Sequence, residues 1–219
     1  MLPVNEIFDT MQGEAFYTGT PATFVRLQGC PIGCPWCDTK HTWDVERQNV
    51  ITKSEMLIKV EDAPTFANMK AAKIVEHCSQ YQSQMVVITG GEPCLYDLRE
   101  LTELLAASGK NVQIETSGTH EVRCSDYHTW VTVSPKLNMP GGYKMNPQAL
   151  QRANEIKYPV GKEQDVENLK TLLQEHKLSK LVWLQPLSQS KKATELCMAA
   201  ARENGWRVSI QTHKFLGVR

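Results

Sequence analysis

The sequence contains no run of about 18 or more apolar residues, the length a bilayer-spanning helix needs, so no membrane segment is expected. It also carries no net charge. Its 24 basic and 24 acidic residues cancel, which removes the polyelectrolyte attraction that nucleic-acid binding rests on and points to a small ligand. Internal repeats and low-complexity tracts are missing. Nothing at the N-terminus resembles a secretory signal and the seven cysteines cannot all pair, so a disulfide framework is not expected and reduced thiols suit the cytoplasm. A second cysteine pair of the kind that completes a structural zinc site is absent as well. Cys78, Cys94, Cys124 and Cys197 stand far apart and read as small apolar core residues. The 219 residues fit one domain, 1–219, with no stretch that reads as a linker.

What remains is a tight group of three cysteines, Cys30-Pro-Ile-Gly-Cys34-Pro-Trp-Cys37, directly after the apolar run Thr23–Leu27. Iron–sulfur clusters in electron carriers are normally held by four thiolates. Three cysteines in one loop can surround a single 4Fe–4S cubane and leave its fourth iron open to a ligand other than protein. A zinc site would instead want a fourth protein ligand close by.

Apolar periodicity gives alternating strands and helices. Met85-Val86-Val87-Ile88-Thr89 is a short apolar run ending in Gly90-Gly91, the pattern of a strand buried on both faces. Leu98, Leu101, Leu104 and Leu105 then recur at helical spacing up to Gly109, and Val112 and Ile114 start another strand. Further strands are predicted at Trp130–Val133, Glu155–Val160, Leu181–Gln185 and Val208–Gln211. Helical stripes fall at Val166/Leu169/Leu172/Leu173 and Ala193/Leu196/Cys197/Ala200. Ala67, Ala71, Ile74, Val75 and Cys78 mark one more helix, and residues 45–66 read as an insertion of uncertain structure. Such alternation predicts an α/β fold of parallel strands with outer helices, built as a partial rather than a closed eight-unit barrel. The motifs fall where that fold places its chemistry, at strand C-termini: the cysteine loop, Gly90-Gly91-Glu92-Pro93, Glu115-Thr116-Ser117, Ser134-Pro135-Lys136 and Gln185-Pro186.

The C-x3-C-x2-C loop and the Gly-Gly-Glu-Pro element resemble the signatures of radical S-adenosylmethionine (SAM) enzymes. The resemblance narrows to the 7-carboxy-7-deazaguanine synthase family over nearly the whole chain. It runs through Asn5-Glu6-Ile7-Phe8, Gln12-Gly13-Glu14, Asp38-Thr39-Lys40-His41-Thr42-Trp43 and Gln211-Thr212-His213-Lys214. It implies a partial (β/α)6-type barrel, a 4Fe–4S cluster, SAM on the open iron, and Mg²⁺. It also implies ring contraction of 6-carboxy-5,6,7,8-tetrahydropterin to 7-carboxy-7-deazaguanine with release of ammonia, in queuosine biosynthesis. A homodimer and a reductant such as flavodoxin come with it. A glycyl-radical-activating enzyme would share the cysteine triad and the glycine element, but Gln12-Gly13-Glu14 and the downstream histidine fit a carboxylated heterocycle better. An electron-transfer module would share the cluster and ignore SAM.

Carried over residue by residue, the resemblance assigns the cluster to Cys30, Cys34 and Cys37. It assigns SAM to Trp36, Cys37, Asp38, Gly91, Glu92, Ser134, Pro135 and Lys136, and Mg²⁺ to the Thr39 hydroxyl. The substrate falls to Gln12, Gly13, Glu14, Arg26, Thr89, Gln185 and His213. The chemistry is reasonable on its own terms. A carboxylate such as Glu14 can accept the adjacent N–H groups of a 2-aminopyrimidinone edge, and a guanidinium such as Arg26 matches a carboxylate in two places. On the residues alone, Arg26 could equally form a solvated ion pair, Ser134-Pro135-Lys136 a plain turn, Asp38 a helix cap and His213 part of a solvated tail.

Overall fold

Along the parallel strands, apolar residues on one side and largely polar ones on the other give the sheet two faces of different character. The computed structural model describes residues 1–218. In chain order the strands are β1 (Leu2–Met11), β2 (Pro21–Leu27), β3 (Ala67–Met69), β4 (Met85–Gly90), β5 (Asn111–Thr116), β6 (Thr129–Val133), β7 (Glu155–Val160), β8 (Leu181–Pro186) and β9 (Arg207–Val208). They make one sheet in the order β3-β1-β2-β4-β5-β6-β7-β8-β9. From β2 to β9 every neighbouring pair is parallel, and β1 pairs antiparallel with both β2 and β3. Among the described residues β3 and β9 are the free ends, so the barrel is open, as the sequence suggests.

Helices α1 (Lys53–Leu57), α2 (Ala71–Cys78), α3 (Arg99–Ala107), α4 (Pro147–Arg152), α5 (Glu163–Glu175), α6 (Lys191–Asn204) and α7 (Thr212–Leu216) complete the fold. The main core takes Leu101 and Leu105 of α3, Val166, Leu169 and Leu172 of α5, and Cys197 and Ala200 of α6. It takes Val25, Val86, Ile88, Val112, Ile114, Val131, Ile156, Val182 and Leu184 from one face of the sheet. Each fully buried Leu, Ile or Val side chain is worth about 1.5–3 kcal/mol. The four isolated cysteines, Cys78, Cys94, Cys124 and Cys197, are buried in this core.

Because side chains alternate across a strand, the residues between these apolar positions face the inside of the curve. Most are polar: Arg26, Thr89, Gln113, Glu115, Thr132, Glu155, Lys157 and Gln185, with Trp183 among them. Near the strand starts the inner face is closed by apolar groups, with Ala22, Met85 and Val87 packed against Tyr17 and Phe24. The barrel therefore has an apolar floor and a polar mouth.

Four expectations change. Strand β1 was hidden because Leu2–Ile7 is buried at every position, polar Asn5 and Glu6 included, which erases the alternation. Ala67 belongs to β3 rather than to a helix, pairing with Val4 while Met69 pairs with Leu2; the helix starts at Ala71. Leu104 points outward from α3. The last predicted strand shrinks to Arg207–Val208, because Ser209 turns inward to accept a hydrogen bond from the Ala15 N–H (2.8 Å) and Gln211 precedes α7.

Residues 45–66 form a defined structure. The capping box of Thr52 and Glu55 starts α1, Met56 and Phe66 are buried, and Phe66 bridges to Val50. Lys59 Nζ donates to Asn5 Oδ1 (2.9 Å), tying the segment to β1. Among the described residues no helix is long and apolar enough to cross a membrane.

Candidate active site

At the C-terminal ends of the parallel strands the sheet surrounds a cavity of about 370 Å³. Every residue that the resemblance assigns to the cluster, SAM, Mg²⁺ or the substrate lines it except Pro135. Pro135 lines a neighbouring cavity instead, with Leu137, Asn138 and Tyr158, and Trp36 borders both.

The cysteine loop is held from below. Gln28, fully buried, donates through Nε2 to the carbonyls of His41 and Asp44 (2.9 Å each), and its own carbonyl accepts the Tyr96 hydroxyl (2.7 Å). The Gly29 and Cys30 N–H groups donate to Thr42 (2.7 Å) and Trp43 (2.9 Å). Cys30, Cys34 and Cys37 are free thiols. Burial pushes the Cys30 thiol up to about 11 and raises that of Cys34 too. Desolvated thiols of this kind lose their protons to a bound metal rather than to water.

Thr39 lies beside the three thiols, its Oγ1 3.6 Å from Cys37 Sγ.

The Gly90-Gly91 element does something other than leave room for a ligand. A Cβ added at Gly90, where φ is +132°, would lie 2.2 Å from the Leu27 carbonyl oxygen, and one at Gly91 would lie 2.2 Å from that of Gly29. Both glycines let β4 approach the cysteine loop, and the Gly91 and Glu92 N–H groups donate into it at Leu27 (2.9 Å) and Gly29 (2.7 Å). The Glu92 carboxylate is buried and occupied. It accepts the Thr116 hydroxyl (2.6 Å), the Ser117 N–H (2.8 Å) and hydroxyl, and the Cys94 N–H (2.9 Å). It ties β4 to β5. Lys136 donates to Ser134 through both its carbonyl (3.0 Å) and its hydroxyl (2.5 Å); burial lowers its pKa, with Cys34 among the groups opposing that shift.

On β2, in register with Thr89 of the neighbouring β4, Arg26 donates through Nε to Glu6 Oε1 (2.6 Å), with its guanidinium over the Phe8 ring at 5.7 Å. The ion pair is buried rather than solvated, at 16% and 5% side-chain exposure. Glu6, His41 and Asp62 bring potential ligand atoms together within 4.8 Å, but the Arg26 cation already sits on Glu6, so the group reads as a charge network.

Lys157, which the sequence reading passed over, stands at the centre of the mouth. It donates to Glu14 Oε2 and to Glu115 Oε1 (3.2 Å). Glu14 Oε1 accepts the Gln211 (2.7 Å) and Gln185 (3.3 Å) amides. Burial alone would raise the Glu14 carboxyl, but the Lys157 charge and these hydrogen bonds outweigh it and hold the group at about 2. Gln12 is turned away from the cavity's centre: its Nε2 donates to Gln113 (2.8 Å) and Glu115 (3.2 Å), and its Oε1 accepts the Glu14 N–H (3.1 Å). Gln185 Oε1 is buried in the wall with no partner among the described residues, an acceptor kept for a ligand. The Thr212 N–H and hydroxyl bind the Gly13 carbonyl (3.0 and 3.1 Å), bringing His213 to the rim. Lys157 and Glu115 were within reach of the sequence: each is the polar, inward member of an alternating strand.

A comparison with family models matches residues 24–134 to the radical SAM superfamily. The 7-carboxy-7-deazaguanine synthase of Escherichia coli K12 is 50% identical over 220 residues, covering 99% of this chain and 98% of that protein. The protein of the same name from Buchnera aphidicola is 42% identical, covering 99% of both chains. A crystal structure of QueE from Escherichia coli superposes with a TM-score of 0.92 at 49% identity, covering 96% of this chain and 93% of that one.

Proposed function

The chain belongs to the 7-carboxy-7-deazaguanine synthase family of radical SAM enzymes, and we propose on that basis that its barrel mouth binds a carboxylated tetrahydropterin beside SAM and a 4Fe–4S cluster. The reaction is the ring contraction of 6-carboxy-5,6,7,8-tetrahydropterin to 7-carboxy-7-deazaguanine. Substrate and product differ by one ammonia, so the overall change needs no net oxidant. The observation that carries this reading is the convergence in one cavity of three free thiols, a buried Arg and a ring of hydrogen-bonding groups.

When bound, the cluster and SAM supply the one-electron chemistry that starts the reaction. The protein's part is to hold and orient. Cys30, Cys34 and Cys37 hold three irons. Because the Glu92 carboxylate is occupied by Thr116, Ser117 and Cys94, backbone acceptors of the Gly90–Glu92 segment receive the SAM ammonium. Lys136 and Ser134 face its carboxylate and ribose. Arg26, fixed at Nε by Glu6, keeps its two terminal amino groups for the substrate carboxylate. The Thr39 hydroxyl and that carboxylate provide oxygen ligands for Mg²⁺. Thr89, Gln185 and His213, which line the same cavity, contact the substrate in this reading.

The whole chain 1–219 acts as one radical SAM domain, works in the cytoplasm, receives its electron from a reductant such as flavodoxin and pairs as a homodimer. Anaerobic purification and reconstitution test the reading. Iron, sulfide and a SAM-sensitive electron paramagnetic resonance signal are expected, with conversion of the pterin followed by ultraviolet absorbance. Each of Cys30→Ala, Cys34→Ala and Cys37→Ala should abolish both signal and turnover. A zinc-only protein, or a cluster indifferent to SAM, would refute it.

A further inference from the structure

Of the two carboxylates that flank Lys157, only one is still open. Glu14 is taken on both oxygens, Oε1 by Gln211 and Gln185 and Oε2 by Lys157. Glu115 accepts Lys157 and Gln12 on Oε1 alone, leaving Oε2 without a protein donor among the described residues. The Lys157 ammonium has three hydrogens, of which Glu14 and Glu115 take two. Both side chains line the cavity, and the chain holds them firmly, with 8% and 18% of their surface exposed. One open acceptor therefore stands next to one open, positively charged donor.

We infer that Glu115 and Lys157 together read the lactam edge of the substrate's pyrimidinone ring, Glu115 Oε2 accepting the ring N3–H and Lys157 Nζ donating to the C4 carbonyl. The inference rests on the carboxypterin reading above and gives that site its specificity. It also moves the ring-reading carboxylate from Glu14, the sequence's choice, to Glu115; Glu14 serves to hold Lys157 in place. The arrangement discriminates by sign. A 4-oxo ring offers donor then acceptor along this edge. A 4-amino ring offers acceptor then donor, setting a lone pair against a carboxylate oxygen and an N–H against an ammonium. A site built to hydrogen-bond one pattern rejects its reverse strongly, because its own polar groups are left unmatched.

The test uses reconstituted enzyme at pH 8 and two non-reacting aromatic competitors, 6-carboxypterin and 6-carboxy-2,4-diaminopteridine. The 4-amino compound should inhibit at least about tenfold more weakly than the 4-oxo compound. In Lys157→Met, whose iron content and SAM binding report on folding, the KM for substrate should rise about tenfold or more with a smaller change in kcat, and the preference between competitors should collapse. Equal inhibition of the wild-type enzyme by the two competitors overturns the inference while turnover leaves the carboxypterin reading intact. So does a folded Lys157→Met enzyme that keeps the preference. A wild-type enzyme that neither converts the tetrahydropterin nor responds to 6-carboxypterin overturns both.

Discussion

Gly13 lies so close to His213 that a Cβ added at Gly13 would sit 2.1 Å from the imidazole Nδ1. The contact joins the turn after β1 to the start of α7, residues separated by nearly the whole chain. Gly13→Ala should displace His213 and loosen the rim while leaving the β-sheet core, which lies elsewhere, intact. The expected outcome is a fall in kcat/KM of about tenfold or more, with far-ultraviolet circular dichroism and iron content unchanged. Unaltered kinetics would show that the rim tolerates the shift and that His213 is not needed where it stands.

Glu6 fixes the Nε side of Arg26. Glu6→Ala should therefore let the guanidinium swing, raising the substrate KM roughly tenfold with a smaller effect on kcat. Glu6→Gln, which keeps an acceptor oxygen, should restore much of the affinity. Steady-state kinetics of the two variants decide it, and an equal KM for wild type and Glu6→Ala would argue that Arg26 is held by its stacking on Phe8 alone.

Gly91→Ala should strike the cluster rather than the fold. Its Cβ would meet the Gly29 carbonyl oxygen at 2.2 Å and Cys30 Cβ at 3.1 Å, so the backbone that carries the first thiol must move. Iron retained after anaerobic desalting should drop severalfold while the thermal transition persists. Full iron occupancy in this variant would contradict the close packing of β4 on the loop.

Glu155 is buried on the inner face of β7, where its Oε1 accepts the Thr132 hydroxyl (2.7 Å) and the Trp130 N–H (3.1 Å). Burial raises its pKa above the ordinary 4.5, despite those bonds and the Lys157 charge. A carboxyl raised in the folded state stabilises the fold fully at low pH and loses that contribution as pH climbs from 4.5 through the folded value. Glu155→Gln removes the titration. Its melting temperature should fall less than that of the wild type between pH 5 and pH 8, and parallel melting curves across that range would count against a raised Glu155.

The strands that face helices on one side and the cavity on the other were legible wherever apolar residues ran together, as in Met85–Thr89, or fell at helical spacing, as in Val166, Leu169 and Leu172. They were illegible where burial was achieved by pairing polar groups. Asn5 and Glu6 are buried in β1 because Gln28 and Arg26 satisfy them, and no local pattern announces that. Lys157 was passed over although alternation places it on the inner face of β7, because its carboxylate partners Glu14 and Glu115 lie far off in sequence. A lysine in a strand looks solvated until the chain brings two carboxylates to it.

The sequence by itself determined the alternation of parallel strands and helices, the three-thiol loop and the motifs at the strand ends, because hydrophobic periodicity and short-range spacing are local properties of the chain. Only the tertiary structure decided which polar groups are already spent and which remain open. That Glu92 and Glu14 are occupied while Glu115, Gln185 and the third hydrogen of Lys157 are left over depends on contacts between residues far apart in sequence, set by how the strands curve around one cavity.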